Sequence, residues 1–594
     1  MKKTIFSLLI LALYLLSSCS DLEFGDKFLG KQPESSGAVQ DTMFNSMLNS
    51  DKVLTRAYTY LPYGLPTGGG AGYNKLGVNL LEAITDLYHS FRDNISDGPM
   101  NLYYNGALSA NINPAQQGSE AYRFGSQVEY YAIRYAWIYI ENVSKVPDMT
   151  EALKNQRIAE AKTIIALSYA EMMRYVGGLP WLDHAVAPNE ELTFERKTFE
   201  ETVNNIVMLL DEAIPHLPWS HSSVENGRMT KAGAMALKQR VLLFAASPTF
   251  NSATPWHPEA DTYTYYGNAD KNRWQKAMQA GAEFMAELQR QGVYSLVQPS
   301  ADTNRARREA FRSGYYDRSS SEVLISTRRG YNAADVHAPL YSQRYYSGPT
   351  LNYVNMFPWA DGTPFEEDFN WENPSKQPFF ENGEPTRDPR LYETVVVPGD
   401  TWFNGTFAPI YVNHPNYRYG SGFAMMKYIL RENSDRDNKP AHWCYLRLPE
   451  VLLSYAEAIN ESNGGPNAVA YESVDAVRAR VGLSPLRRGM SQIEFREAVL
   501  AERALEFGFE EVRWFDLVRW GRSNDFRKTI YGLSSRADNQ NAPTGFTFST
   551  YEISERYWAR NWDTKWYMSP IPQPEINKNY GMTQNPGWSS KVDE

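Results

Sequence analysis

The chain has 594 residues, of which 42% are hydrophobic, 22% charged and 14% aromatic, and a formal net charge of −10. Length alone suggests about four domains at roughly 150 residues each, and the apolar share supplies a core that a disordered chain lacks. The acidic charge opposes the phosphate contacts of a nucleic-acid partner, and two cysteines exclude a disulfide scaffold or a Cys-based zinc module.

Lys2 and Lys3 precede an apolar run from Ile5 to Leu16, and Ser17, Ser18 and Cys19 follow it. A basic start, a short apolar stretch and small residues predict a secretory signal peptide over residues 1–18. The competing reading is a membrane-spanning anchor, but about a dozen apolar residues fall short of the roughly 20 needed to span. Leu16-Ser17-Ser18-Cys19 resembles the bacterial lipobox, which implies acylation of Cys19 and a membrane anchor through lipid. Ser20, Asp21 and Glu23 are similar to the export signals of surface lipoproteins. Cys444, the other cysteine, reads as a buried small hydrophobe.

Residues 19–50 are polar and read as a tether, leaving 51–594 as the folded body. Helical periodicity governs 51–292, with helices expected at Val128–Val143, 151–176, Phe199–Ile214, Thr230–Ala246 and Trp274–Gln291. Gly177-Gly178, Pro215 and Gly292 supply stops. Between 293 and 440 the helical stripes vanish, and Pro, Gly, Asn and aromatic residues surround short strand-like pieces at Val323–Thr327 and Thr394–Val397. Long ordered loops of this kind are usually binding elements. Helices return in 441–594, at Leu446–Asn460, Val469–Val481 and Ser491–Phe507. Their length and pairing resemble tetratricopeptide hairpins, although the roughly 34-residue period is not clean. The expected fold is mainly α, helical hairpins with an irregular loop region carrying the ligand face.

Signatures for chemistry are sparse. The eight histidines form no H-E-x-x-H motif, and His216 and His221 flank a proline turn. The glycine run Gly68–Gly72 lacks the lysine that a phosphate loop uses, and there is no G-x-S-x-G elbow. A glycosidase needs two carboxylates about 5–9 Å apart, which spacing in sequence does not reveal. Asp361, Glu366, Glu367 and Asp368 offer hard oxygens for a structural calcium ion, but the spacing is not that of an EF-hand and a solvated acidic loop is the alternative. Glu502, Arg503, Glu506, Glu510, Glu511, Arg513, Asp516, Arg519 and Arg522 alternate with aromatic residues, and read as a buried ion network rather than an acid–base site.

The segments Arg447–Ala458 (RLPEVLLSYAEA), Val474–Leu483 (VDAVRARVGL), Glu502–Gly521 (ERALEFGFEEVRWFDLVRWG) and Met568–Trp588 (MSPIPQPEINKNYGMTQNPGW) together resemble the SusD/RagB family of outer-membrane nutrient-binding lipoproteins. Gly177–Pro180 and Arg228–Pro248 are similar to further family elements. The resemblance implies a single SusD-like domain on the outer face of the outer membrane, acting as a lid on a SusC-like TonB-dependent transporter. It implies capture of an oligosaccharide, or in some members a peptide, with no catalysis and no cofactor. A surface glycoside hydrolase is the competing class. Sugar binding calls for flat aromatic faces with hydrogen-bonding edges. Tyr103, Tyr104, Tyr122, Tyr345, Tyr346, Trp359 and Trp402 lie in the irregular stretches and are candidates for that role. Asp86 and Arg92 fall where family members place polar ligand contacts.

Overall fold

A computed structural model describes residues 42–589 except 66–80, 92–99, 112–127, 188–189, 191–192, 344–346, 403, 418–419, 437–438 and 554–555. The expected helices form close to their expected bounds, three of them on threonine caps. Helix α2 is Val128–Asn142 and α3 Glu151–Val176, started by the Thr150 side chain and stopped at Gly177 with φ 81°, while α1, Met47–Tyr58, is an addition that begins inside the stretch read as a tether. Helix α4, Phe199–Ala213, opens on a reciprocal Thr198–Glu201 capping box, and α5, Lys231–Ala246, on Thr230. Helix α6 is Asn272–Gln291. Each of these packs on its successor in sequence, up to α6 against α5.

The region 293–440 holds more helix than its composition suggested. Asn304–Tyr316 forms α7, capped by Thr303, with Ala306, Ala310, Phe311 and Tyr315 buried along one face. Its other face is a run of arginines, so the narrow Ala/aromatic stripe is hidden by a very polar mean composition. Ala333–Gln343 is helical as well. Of the strand-like pieces, Val323–Thr327 is a strand paired antiparallel with Trp443–Arg447, and Val395–Val396 pairs with Ala424–Met425. Tyr88–Ser90 (β1) pairs with Ser347–Pro349, bringing residues far apart in sequence into register. Tyr531–Ala537 and Phe546–Glu552 make a long hairpin. These pieces are all two-stranded, so helices carry the architecture.

The C-terminal helices are α8, Leu448–Asn463, α9, Ala468–Arg480, α10, Gln492–Phe507, and α11, Arg513–Arg519. Helix α8 joins the two halves, packing on α6, α9 and α10. The charge cluster of this region is a buried ion network. Glu506 is met by Arg390 (3.1 Å), Arg447 and Arg480 (each 2.5 Å), and Arg447 and Arg480 also reach Glu322, at 3.2 and 2.6 Å. Lys427 and Arg447 close on Glu510 at 2.5 and 2.8 Å. Burial pushes the Glu506 carboxyl up, but the three guanidiniums outweigh it and hold it well below the usual carboxylate range. A carboxylate locked in its charged form exchanges no proton near neutrality, and the network ties α9 and α10 to Arg447 of the 443–447 strand and to Glu322, Arg390 and Lys427 of the loop-rich region. Cys444 is buried and free, as expected of a small hydrophobe.

Candidate ligand-binding site

Three of the expected contact residues come together, but inside the protein. Asp86 is fully buried, its carboxylate gripped by Arg513 through Nε at 3.0 Å and Nη2 at 2.8 Å. Tyr104 donates its hydroxyl to the Ala83 carbonyl, accepts the Ser90 amide at 3.2 Å, and stacks on His89 at 4.9 Å. Arg556 lies 5.2 Å from the Tyr104 ring and donates to the Thr85 carbonyl. Tyr103 sits edge-on to Trp558, 5.6 Å away. Trp359 and Trp402, 3% and 2% exposed, belong to a different part of the core. Trp359 donates to Glu366 at 3.0 Å and packs on Phe365 and Phe369. None of these five side chains presents a face to solvent. The expectation drawn from their loop positions is corrected by burial, because irregular backbone in this chain is paved with aromatic rings that form its core.

Cys19, Arg92, Tyr122, Tyr345 and Tyr346 lie outside the described residues. Ser90 and Ser347 are register partners. In the acidic group of 361–368, Asp361 is occupied by the Thr363 amide and hydroxyl and Glu366 by Trp359. No cluster of metal-ligating side chains occurs among the described residues.

An open cavity of about 330 Å³ lies where α2 and α3 meet the C-terminal segment. Met172 and Val176 of α3, Leu179 and Leu182 form its apolar floor, and Tyr130, Phe194 and Tyr580 supply rings. Phe194 and Tyr580 are held together by an amide-to-carbonyl bond of 2.6 Å and meet edge to face at 5.5 Å. Tyr130 donates to the Pro180 carbonyl at 3.3 Å. Glu575 and Lys578, paired at 2.8 Å, form the polar rim. Arg196 fastens the surround, donating to the carbonyls of Gly178 (2.9 Å), Val176 (2.7 Å) and Thr583 (3.0 Å). Burial among carbonyls lowers its pKa to about 10. Nearby, Tyr169 stacks on Trp181 at 4.0 Å, and Tyr131, 47% exposed, lies 5.3 Å from Tyr60.

The size fits a small ligand or one end of a larger one. Apolar walls, ring faces and a few polar edges suit binding, and Glu575 is the single lining carboxylate among the described residues. The sequence signal for it was present in two places: Tyr130 opens α2 in a Tyr-Tyr pair, and Tyr580 follows the proline turns of the closing segment. Neither was distinguishable from ordinary packing without knowing that the two segments meet.

Residues 309–588 match the model of the SusD family. Along 603 aligned positions the chain is 23% identical to a SusD-like protein of Formosa agariphila, covering 96% of each. A second SusD-like protein of that organism is 30% identical over 193 residues, a stretch that spans 32% of its length. Over residues 309–588 this chain is similar to the SusD family. Solved structures agree on the fold: a SusD-like protein from Bacteroides fragilis superposes with TM-score 0.70 at 21% identity, covering 92% of this chain and 98% of that one. A SusD-like carbohydrate-binding protein of the same species gives 0.64 at 21% identity, with 90% and 99% covered. Surface glycan-binding protein A from Bacteroides uniformis gives 0.60 at 17% identity, with 91% and 99% covered. The SusD-like architecture thus extends beyond the matched C-terminal region to the helices that wall the cavity.

Proposed function

We propose that this SusD-like chain binds an oligosaccharide without transforming it, with one or two sugar units seated in the cavity of Tyr130, Phe194 and Tyr580. The observation that carries the reading is that cavity. Its rings offer faces for the C–H surface of a pyranose, and the Glu575–Lys578 rim offers hydrogen bonds to hydroxyls. Relatives of the same fold that are named for carbohydrate and glycan binding support it. In this reading the protein is held by lipid at Cys19 on the outer face of the outer membrane, and passes its ligand to a SusC-like TonB-dependent transporter beneath it.

Calorimetry against a panel of neutral polysaccharides and their oligosaccharides tests the site. Tyr130→Ala and Tyr580→Ala are each expected to weaken the best ligand about tenfold, roughly 1.4 kcal/mol of lost ring contact. If both cavity variants bind the best ligand as tightly as the unaltered protein, the cavity assignment is wrong. The strongly aliphatic floor favours one second reading, a peptide inserting an apolar side chain, and an oligopeptide panel in the same calorimeter separates the two. Turnover of any glycan, abolished by a single carboxylate substitution, would replace binding with hydrolysis.

A further inference from the structure

Away from the aromatic cavity, a polar pocket of about 230 Å³ opens between the loop 220–230 and the segment 318–328. Its charged lining consists of Arg228, Arg318 and Arg328 with His221 beside them, and among the described residues no carboxylate lines it. Hydroxyls of Ser220, Thr230, Ser319, Ser320, Ser321 and Ser326 complete the wall.

The three guanidiniums are not equivalent. Arg228 is neutralised by Glu160 at 2.8 Å and Asp51 at 2.9 Å. Arg318 and Arg328 have no carboxylate partner among the described residues. Arg318 donates only to the Ala441 carbonyl, through Nε at 3.2 Å and through Nη2. Arg328 donates to the Asn226 carbonyl at 2.7 Å, to the Asn226 side chain and to Ser326 Oγ at 3.3 Å. Of the neighbouring carboxylates, Asp317 is turned away onto Lys439 at 2.8 Å, and Glu225 is taken up by Arg157, by His221 at 3.4 Å and by Arg228 at 3.7 Å. Each of the two therefore has N–H groups left over, in a chain with ten more acidic charges than basic ones.

The local field agrees with this inventory. Burial and the charge of Arg318 lower the Arg328 pKa to about 10. Buried His442, bonded to Ser326 Oγ at 3.1 Å, is pushed down to about 3 by burial and by both guanidiniums. Arg387 also lacks a carboxylate bond, but it is fully buried among backbone carbonyls and acts as a staple. Arg318 and Arg328 differ in facing open polar space. Gly227, at φ 100°, makes room for this, since a Cβ there would stand 2.5 Å from the Arg328 guanidinium carbon.

We propose that this pocket binds an oxyanion group, such as a sulfate or carboxylate, held by Arg318, Arg328 and the serine hydroxyls. The group is either a free inorganic anion or an acidic substituent on a saccharide. Planar guanidiniums match such oxygens with paired charge-assisted hydrogen bonds.

The test is calorimetry and thermal unfolding of the full chain with sodium sulfate, against sodium chloride at equal ionic strength and with no saccharide present. This makes the result independent of the oligosaccharide reading. Sulfate is expected to bind and to raise the melting temperature where chloride does not. Arg318→Gln, which removes one guanidinium, and Ser319→Asp, which puts a carboxylate at the exposed rim, should each weaken sulfate at least fivefold. Ser319→Asp serves as the second arm if Arg318→Gln folds poorly. Equal responses to sulfate and chloride, or unaltered sulfate affinity in a folded Ser319→Asp variant, overturn the proposal. A sulfated or uronate-bearing oligosaccharide that displaces sulfate where its neutral counterpart does not identifies a saccharide substituent. Failure to displace it identifies a free-anion site.

Discussion

Glu82 shows how one buried side chain sets a pH dependence. Its Oε1 accepts the Glu511 amide at 2.7 Å, and burial together with the Glu511 carboxylate raises its pKa from 4.5 to about 8. The folded state therefore keeps a proton that the unfolded chain releases first as pH rises. The associated stability is complete below about pH 4.5 and is lost as pH climbs toward 8. His442 has the opposite sign. Its lowered pKa gives stability present above about 6.5 and lost as pH falls. Glu82→Gln keeps an acceptor for the Glu511 amide and removes the titration. Urea unfolding should find the variant close to the unaltered protein at pH 5 and more stable at pH 8, by on the order of 4 kcal/mol at about 1.4 kcal/mol per pH unit. An equal difference at both pH values would mean that Glu82 is ionised throughout.

Among the elements, the ion network replaces apolar packing where α9 and α10 meet the loop-rich region. Glu506 faces Arg390, Arg447 and Arg480, all essentially unexposed. Removing its charge leaves three buried guanidiniums around one missing carboxylate. Glu506→Ala should destabilise the fold by about 3–5 kcal/mol, read as a lower urea midpoint. A loss below about 1 kcal/mol would show that water enters and solvates the arginines. Its alternation of Glu, Arg and aromatic residues was legible as a network in sequence. Its partners Glu322, Arg390 and Lys427 were not, because they come from the loop-rich region and carry no local pattern of their own. Helix α7 was hidden for a related reason. Its buried stripe is narrow, and the arginines that mask it are used for ion pairs with Glu393. The strand Val323–Thr327 was legible, since a short β-branched run between turns needs only one partner.

For the whole molecule, the question is where it sits and what it faces. No described helix is long and apolar enough to cross a membrane; on the proposed reading, lipid at Cys19 is the attachment. Cys19→Ala should move the protein from the membrane fraction to the soluble fraction on cell fractionation. A variant that still sediments with outer membranes in cells lacking the transporter would sink the lipid assignment. The aromatic surplus has a divided use. Most rings, including Tyr103, Tyr104, Trp359 and Trp402, fill the core beneath irregular backbone. A smaller set reaches openings, Tyr130 and Tyr580 at the cavity and Tyr60 and Tyr131 on the outside.

The amino-acid sequence by itself determined the helices of 128–292 and 446–507, through caps and periodicity that act within a few residues, and its ordered motifs in the C-terminal third carried the resemblance to the SusD family. Only the tertiary structure decided which aromatic rings are core and which line a cavity, and which arginines lack a carboxylate. Those properties depend on what a distant segment places alongside. Tyr130 and Tyr580 share one wall because the closing segment folds back on α3, and no spacing along the chain encodes that contact.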